Sequence, residues 1–167
     1  HAVALSGAVR AHPEVAKLLT ADAEVESSIF ANDPETGLDL RCRPDAWRRD
    51  IDAVIDLKTT IDASPSAFAS SCARFGYHIQ DQFYRKVLGL EGHAISRFIF
   101  IAVEKEPPFA TGVYELDSRA LLEGSRAIED VLPRIAAAQE DGSFTTGLEG
   151  LQMLSLPGWA FRYTDVY

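Results

Sequence analysis

The chain has 167 residues, 47% of them hydrophobic and 25% charged, which fits one domain with a full core. Its net charge of −9 argues against a protein coated in basic surface for nucleic-acid binding, but leaves room for a local basic groove. Two cysteines, Cys42 and Cys72, are too few for a four-thiolate zinc or iron–sulfur site, and a reducing cytoplasm is expected.

No apolar run reaches the length that spans a bilayer, and no signal-peptide pattern opens the chain, so no membrane role is expected. The sequence starts at His1 rather than Met, so a longer parent chain is expected. Residues 5 to 20 read as helix, with Pro13 starting a second piece. Residues 24 to 31 read as a strand. "NDPETGLD" supplies turn chemistry, and residues 38 to 45 read as the hairpin partner. Residues 51 to 58, "IDAVIDLK", give the next strand. A helix follows from Ser64, a good N-cap before Pro65, to Leu90, and Gly76 can divide it. Residues 97 to 108 are the most strand-like run, and "GVYELD" (112–117) is another strand. An amphipathic helix runs from Ser118 to Gly142. "PGWAFRYTD" in the tail reads as loop or edge strand. The strand–helix–strand unit over residues 51 to 103 predicts a parallel pair, and the hairpin predicts antiparallel pairing. The expected fold is a mixed sheet with helices on its faces, α/β or α+β.

Three carboxylates draw attention in that frame. Glu26 falls on the first strand, Asp45 ends the second, and Asp56 is near the end of the third. Carboxylates converging from adjacent strands need a cation, and hard oxygen ligands select Mg²⁺ or Mn²⁺. The Leu57 carbonyl adds an oxygen at the same edge. Side chains alternate along a strand, so Lys58 shares a face with Asp56. Such a site suits metal-assisted hydrolysis of a phosphodiester, with Lys58 stabilising the developing charge. The plain alternative is a turn residue at Asp45, a surface Glu26 and a salt bridge at Lys58. On the helix, Gln80 and Tyr84 are four apart and share a face, while His78 and Gln82 share another. Gln80 and the Tyr84 hydroxyl can reach a phosphate or a water; the alternative is a half-buried Tyr84 and a solvated Gln80.

Together, Glu26, "RPD" at 43–45, "IDLKTT" at 55–60 and "QDQFY" at 80–84 resemble the PD-(D/E)xK nuclease superfamily. The pattern is similar to the branch with a Q-xxx-Y helix motif, shared by RecB-like nucleases and lambda exonuclease, and above all to RecE-like (exonuclease VIII) nuclease domains of phage and prophage recombination. The likeness covers residues 5 to 120. It implies a restriction-endonuclease-like core, a central mixed sheet flanked by helices. It implies Mg²⁺-dependent cutting of DNA, with one strand of a linear duplex degraded from its 5′ end. Carried over by motif, Asp45, Asp56 and the Leu57 carbonyl hold the metal and Lys58 is the catalytic lysine. Glu26 matches the acidic residue of the preceding strand, with Glu24 its rival, and Gln80 and Tyr84 match the helix motif.

Relatives also carry a metal-binding His on an N-terminal helix; His12 and His1 are the candidates. Arg43, Arg74, Arg85 and Lys86 lie in or near the motifs and are candidates for phosphate contacts, or else ordinary surface residues. The resemblance further implies duplex DNA ends as substrate, a single-strand annealing protein as partner, a homo-oligomeric ring, and a bacterial or phage-encoded cytoplasmic protein. Two alternatives remain open at this point. One is an endonuclease or single-strand nuclease on the same site; the other is a non-catalytic DNA-binding module.

Overall fold

The computed structural model describes residues 2–19, 22–144 and 150–157. Among them, two helices open the chain, α1 (Ala2–Ala11) and α2 (Pro13–Leu18). They break at Pro13, which lacks the N–H a continuing helix would need. A five-stranded mixed sheet is ordered β1-β4-β5-β6-β7. Its strands are β1 (Glu24–Val25), β4 (Ala46–Arg48), β5 (Ala53–Thr60), β6 (Arg97–Glu104) and β7 (Thr111–Tyr114). The central pair, β5 and β6, is parallel, with Asp56 opposite Phe100 and Lys58 opposite Ala102. The other pairings of this sheet are antiparallel. Between β5 and β6 the chain runs through α3 (Pro65–Phe75) and α4 (Tyr77–Leu90), and α5 (Ser118–Asp141) follows β7. This is the α/β mixed sheet that the sequence predicts.

Three expectations need correction. The strand predicted over 24–31 is two strands. Glu26 takes a left-handed φ of 55°, which ends β1, and β2 (Ile29–Asn32) leaves the main sheet. It pairs instead with β3 (Asp39–Cys42) as a separate two-stranded sheet. Glu26 is therefore just beyond a strand, and Asp45 lies between β3 and β4 rather than ending one. The third strand starts at Ala53, because Arg49–Ile51 form a 3-10 turn and Asp52 is left-handed. It runs on to Thr60, as its β-branched end favours. Asp56 is accordingly in mid-strand. The short β4 has no periodic signal of its own, since all three of its residues are buried. The tail read as loop or edge strand, 157–165, lies outside the described residues except for Pro157.

The sheet divides two apolar cores. On one face Ala53, Ile55, Ile99, Ile101 and Val103 meet Val9, Val15 and Leu18 of α1 and α2. Arg48 fastens this layer, donating to the Lys17 and Leu18 carbonyls at the end of α2 and pairing with Asp50. On the other face Val54, Phe98, Phe100 and Ala102 meet α3, α4, α5 and the β2–β3 hairpin. Strand alternation then puts Asp56 and Lys58 on the α4 side.

Two glycines shape that side. Gly76, at φ 69°, closes α3 through its N–H to the Cys72 carbonyl and lets α4 start in a new direction; side chains rarely adopt this conformation. Gly124 of α5 lies so close to α4 that an added Cβ would stand 2.2 Å from the His78 carbonyl oxygen. Replacing glycine by alanine within a helix ordinarily stabilises it by about 1 kcal/mol. Here Gly124→Ala forces the two helices apart, and we expect a net loss of about 1–3 kcal/mol, measured by urea denaturation.

Candidate active site

Asp56 has only 3% of its surface exposed, and a buried carboxylate must be paired or neutralised. Its partners are local. Lys58 Nζ is 2.5 Å from Asp56 Oδ1, and Gln80 Nε2 donates to Asp56 Oδ2 at 2.7 Å. Lys58 Nζ also donates to Gln80 Oε1 at 2.8 Å. The three side chains close a ring in which the amide of Gln80 uses both its ends. Burial raises the Asp56 carboxyl above its ordinary range; Lys58 pulls it back, while the nearby Asp45 charge pushes it further up.

Asp45 is brought to the same edge by the backbone. Its Oδ2 accepts from the Leu57 N–H at 2.7 Å, and its carbonyl accepts from the Glu26 N–H. Tyr84, one turn beyond Gln80, packs edge-on to Phe98 and donates its hydroxyl to the Arg43 carbonyl at 3.4 Å. It thereby anchors the segment that carries Asp45. The helix motif thus has two tasks: Gln80 binds the strand, and Tyr84 binds the loop beside it. Gln82, on another face, accepts from Ser125 of α5, and His78 reaches the Cys72 carbonyl.

The remaining candidates are placed differently. Glu26 pairs with Arg43 at 2.9 Å. Glu24 is held by Arg49, which lowers its pKa. Among the described residues no three His, Cys, Asp or Glu side chains gather as a metal-binding group, so three carboxylates do not converge. His12 sits at the α1–α2 junction with Nδ1 buried and no hydrogen-bond partner, and it does not complete such a group. His1 lies outside the described residues. Arg85 binds Asp81 and the Ile95 carbonyl. Lys86 pairs with the buried Asp33 at 2.9 Å. Both serve the packing of α4. Arg74 lies beside the Phe75 ring.

Asp45, Asp56 and the Leu57 carbonyl are hard oxygen donors at one edge. Mg²⁺ commonly uses one or two carboxylates and keeps several waters, so two carboxylates suffice. Two neighbouring acids, one of them buried and proton-seeking, form a donor set that a divalent cation would relieve. The residues present fit Mg²⁺ or Mn²⁺.

One residue escaped the sequence analysis. The Lys58 ammonium lies over the Tyr77 ring, 4.6 Å from its centroid. The signal was present, because Tyr77, Gln80 and Tyr84 follow i, i+3, i+7 spacing on one helical face.

Comparisons with known proteins agree with this architecture. Residues 2–155 match the model of the family described as "PDDEXK-like domain of unknown function (DUF3799)". The chain belongs to that family. A crystal structure from Eubacterium rectale, named "Putative exonuclease", superposes with a TM-score of 0.69 at 14% identity. The match covers 93% of this chain but 61% of that one, so this chain spans less than two thirds of its neighbour. A further solved structure, SSO0001, gives 0.43 at 18% identity, over 86% of this chain and 57% of that one. Comparison with curated proteins gives no significant match. The five-stranded mixed sheet flanked by helices matches a restriction-endonuclease-like fold. Family and fold together place the chain among PDDEXK-like domains.

The Tyr77 contact makes a prediction. A partly buried cation–π contact contributes about 1 kcal/mol. Tyr77→Leu should therefore lower stability by about 1 kcal/mol, while Tyr77→Phe, which keeps the ring, stays near the parent. Urea denaturation of the two variants checks this.

Proposed function

We propose that the protein is a Mg²⁺-dependent deoxyribonuclease that degrades one strand of linear duplex DNA from its 5′ end, in recombination of the phage type. The observation that carries this is the Lys58 ammonium, held between Asp56 and Gln80 at the edge where Asp45 accepts from the Leu57 N–H. A structural salt bridge has no need of a second carboxylate at its side. A phosphodiester site does need a cation beside acids.

Asp45, Asp56 and the Leu57 carbonyl would hold the metal. When bound, Mg²⁺ lowers the pKa of a water and neutralises charge on the phosphate. Lys58 turns an N–H toward the attacking water and stabilises the negative charge that builds on the phosphate oxygens. Gln80 fixes the Lys58 rotamer and the Asp56 carboxylate together. Tyr84 keeps the Arg43–Asp45 segment against β5. Arg43 is 61% exposed and, released from Glu26, contacts backbone phosphate.

The 5′ polarity, the recombination setting and the annealing partner rest on the order and identity of the four motifs. So does a bacterial or phage-encoded cytoplasmic protein that assembles as a homo-oligomeric ring. A ring with its sites turned inward reconciles a DNA substrate with a net charge of −9. Among the described residues no helix is long and apolar enough to cross a membrane.

Linear duplex labelled at the 5′ or the 3′ end, and covalently closed circles, separate the possible activities. With Mg²⁺ the 5′ label should be released first and the circles should survive. Lys58→Ala should lower the rate by roughly a hundredfold or more, and Asp56→Ala and EDTA should abolish cleavage. Cutting of closed circles would replace the exonuclease by an endonuclease. Full activity of Lys58→Ala, or activity in EDTA, would sink the mechanism.

A further inference from the structure

The surface next to Lys58 carries an aromatic ring that the proposed chemistry does not use. Phe75 is the last residue of α3, and 60% of it is exposed. The left-handed Gly76 turns the chain directly after it, so Phe75 and Tyr77 flank the corner. Their rings stack, 5.8 Å between centroids at 29°. Tyr77 stacks in turn on Phe100 of β6, 5.8 Å away at 24°. A run of rings therefore leads from solvent to the sheet, and Lys58 stands over its middle member. The Arg74 guanidinium lies 5.4 Å from the Phe75 centroid.

Packing accounts for Tyr77 and Phe100 but not for the outer ring. Phe75 has left most of its surface in water, beside a cation, two short contacts from the candidate catalytic ammonium. Exposed aromatics alternating with cations are the means by which single strands are held, because every base has a π face. Each nucleotide of a strand advances about 3.4 Å along the axis of a duplex, and further when the strand is stretched. A base resting on Phe75 thus belongs to a nucleotide one to three steps from a phosphate at Lys58.

We propose that Phe75, with Arg74 beside it, is a stacking subsite for an unpaired nucleobase of the strand being cut, Arg74 turning to the adjoining phosphate. The subsite rests on the nuclease proposal above. Its role is to position the strand, so its removal falls on substrate affinity.

The test uses the whole chain. Phe75→Ala should raise KM for linear duplex about tenfold and keep kcat within about twofold. Phe75→Trp should hold both near the parent values. In EDTA, where cleavage is off, the added indole of Phe75→Trp should be quenched by single-stranded oligothymidylate. Absence of that quenching overturns the subsite, whatever the cleavage assay gives. So does an unchanged KM in Phe75→Ala, or a loss confined to kcat. If Phe75→Ala melts too early to assay, the Phe75→Trp quenching decides. A parent protein that leaves duplex DNA intact defeats the nuclease proposal instead, and the EDTA arm still reports on the base contact.

Discussion

The Asp56 carboxylate is a charge buried in the middle of a parallel strand, and much of the structure answers to it. Desolvation opposes that charge. Lys58 and Gln80 compensate it, and each needs a particular placement. Lys58 must be two residues along the same strand so that the pleat returns it to the same face. Gln80 must arrive from a helix crossing that face. Gly76 lets α4 begin at the required angle, and Gly124 lets α5 close over α4 without a Cβ between them. Compensation remains incomplete. Asp56 stays more proton-loving than an ordinary aspartate, with a second acid alongside. That residual imbalance is what a divalent cation would remove, so the strain of the site and its candidate chemistry have one origin.

Helix α4 divides its work by face. Tyr77, Gln80 and Tyr84 serve the site. Asp81, Arg85 and Gln82 serve the scaffold: Arg85 ties the buried Asp81 to the Ile95 carbonyl, and Gln82 joins Asp81 to Ser125 of α5. Lys86 does likewise for Asp33 at the β2–β3 turn. Removing one member of such a pair leaves an uncompensated buried charge, which usually costs more than the intact pair contributes. Basic residues inside a nuclease motif are thus partly committed to folding. Among the described residues, Lys58, Arg43 and Arg74 are cations that these scaffold pairs do not use.

Much of this was legible in the sequence. Apolar, β-branched runs gave β5 and β6, Ser64-Pro65 gave the start of α3, and alternation put Asp56 and Lys58 on one face. The spacing of Gln80 and Tyr84 gave the helix face that meets them. The rest was hidden for physical reasons. Nothing in "EVESSIFA" announces the left-handed Glu26, which splits one strand into two and sends β2 to a separate hairpin. A three-residue strand buried throughout, such as β4, is too short to show a period. The partners of Glu24 and Lys86 are distant in sequence, and although Arg85 follows Asp81 by one helical turn, the charge pattern alone could not tell a scaffold pair from a free cation. Tyr77 had the right spacing, but nothing in the sequence placed the Lys58 ammonium over its ring.

The central claim is that Asp45, Asp56 and the Leu57 carbonyl form one cation site beside Lys58. Crystals of the protein soaked in Mn²⁺ and measured for anomalous scattering test it most directly. The account predicts a manganese peak bounded by those three groups, with Lys58 remaining on Gln80, and its loss in Asp45→Asn. Manganese bound elsewhere, or no peak while Lys58 and Asp56 keep their closed pair, would contradict it.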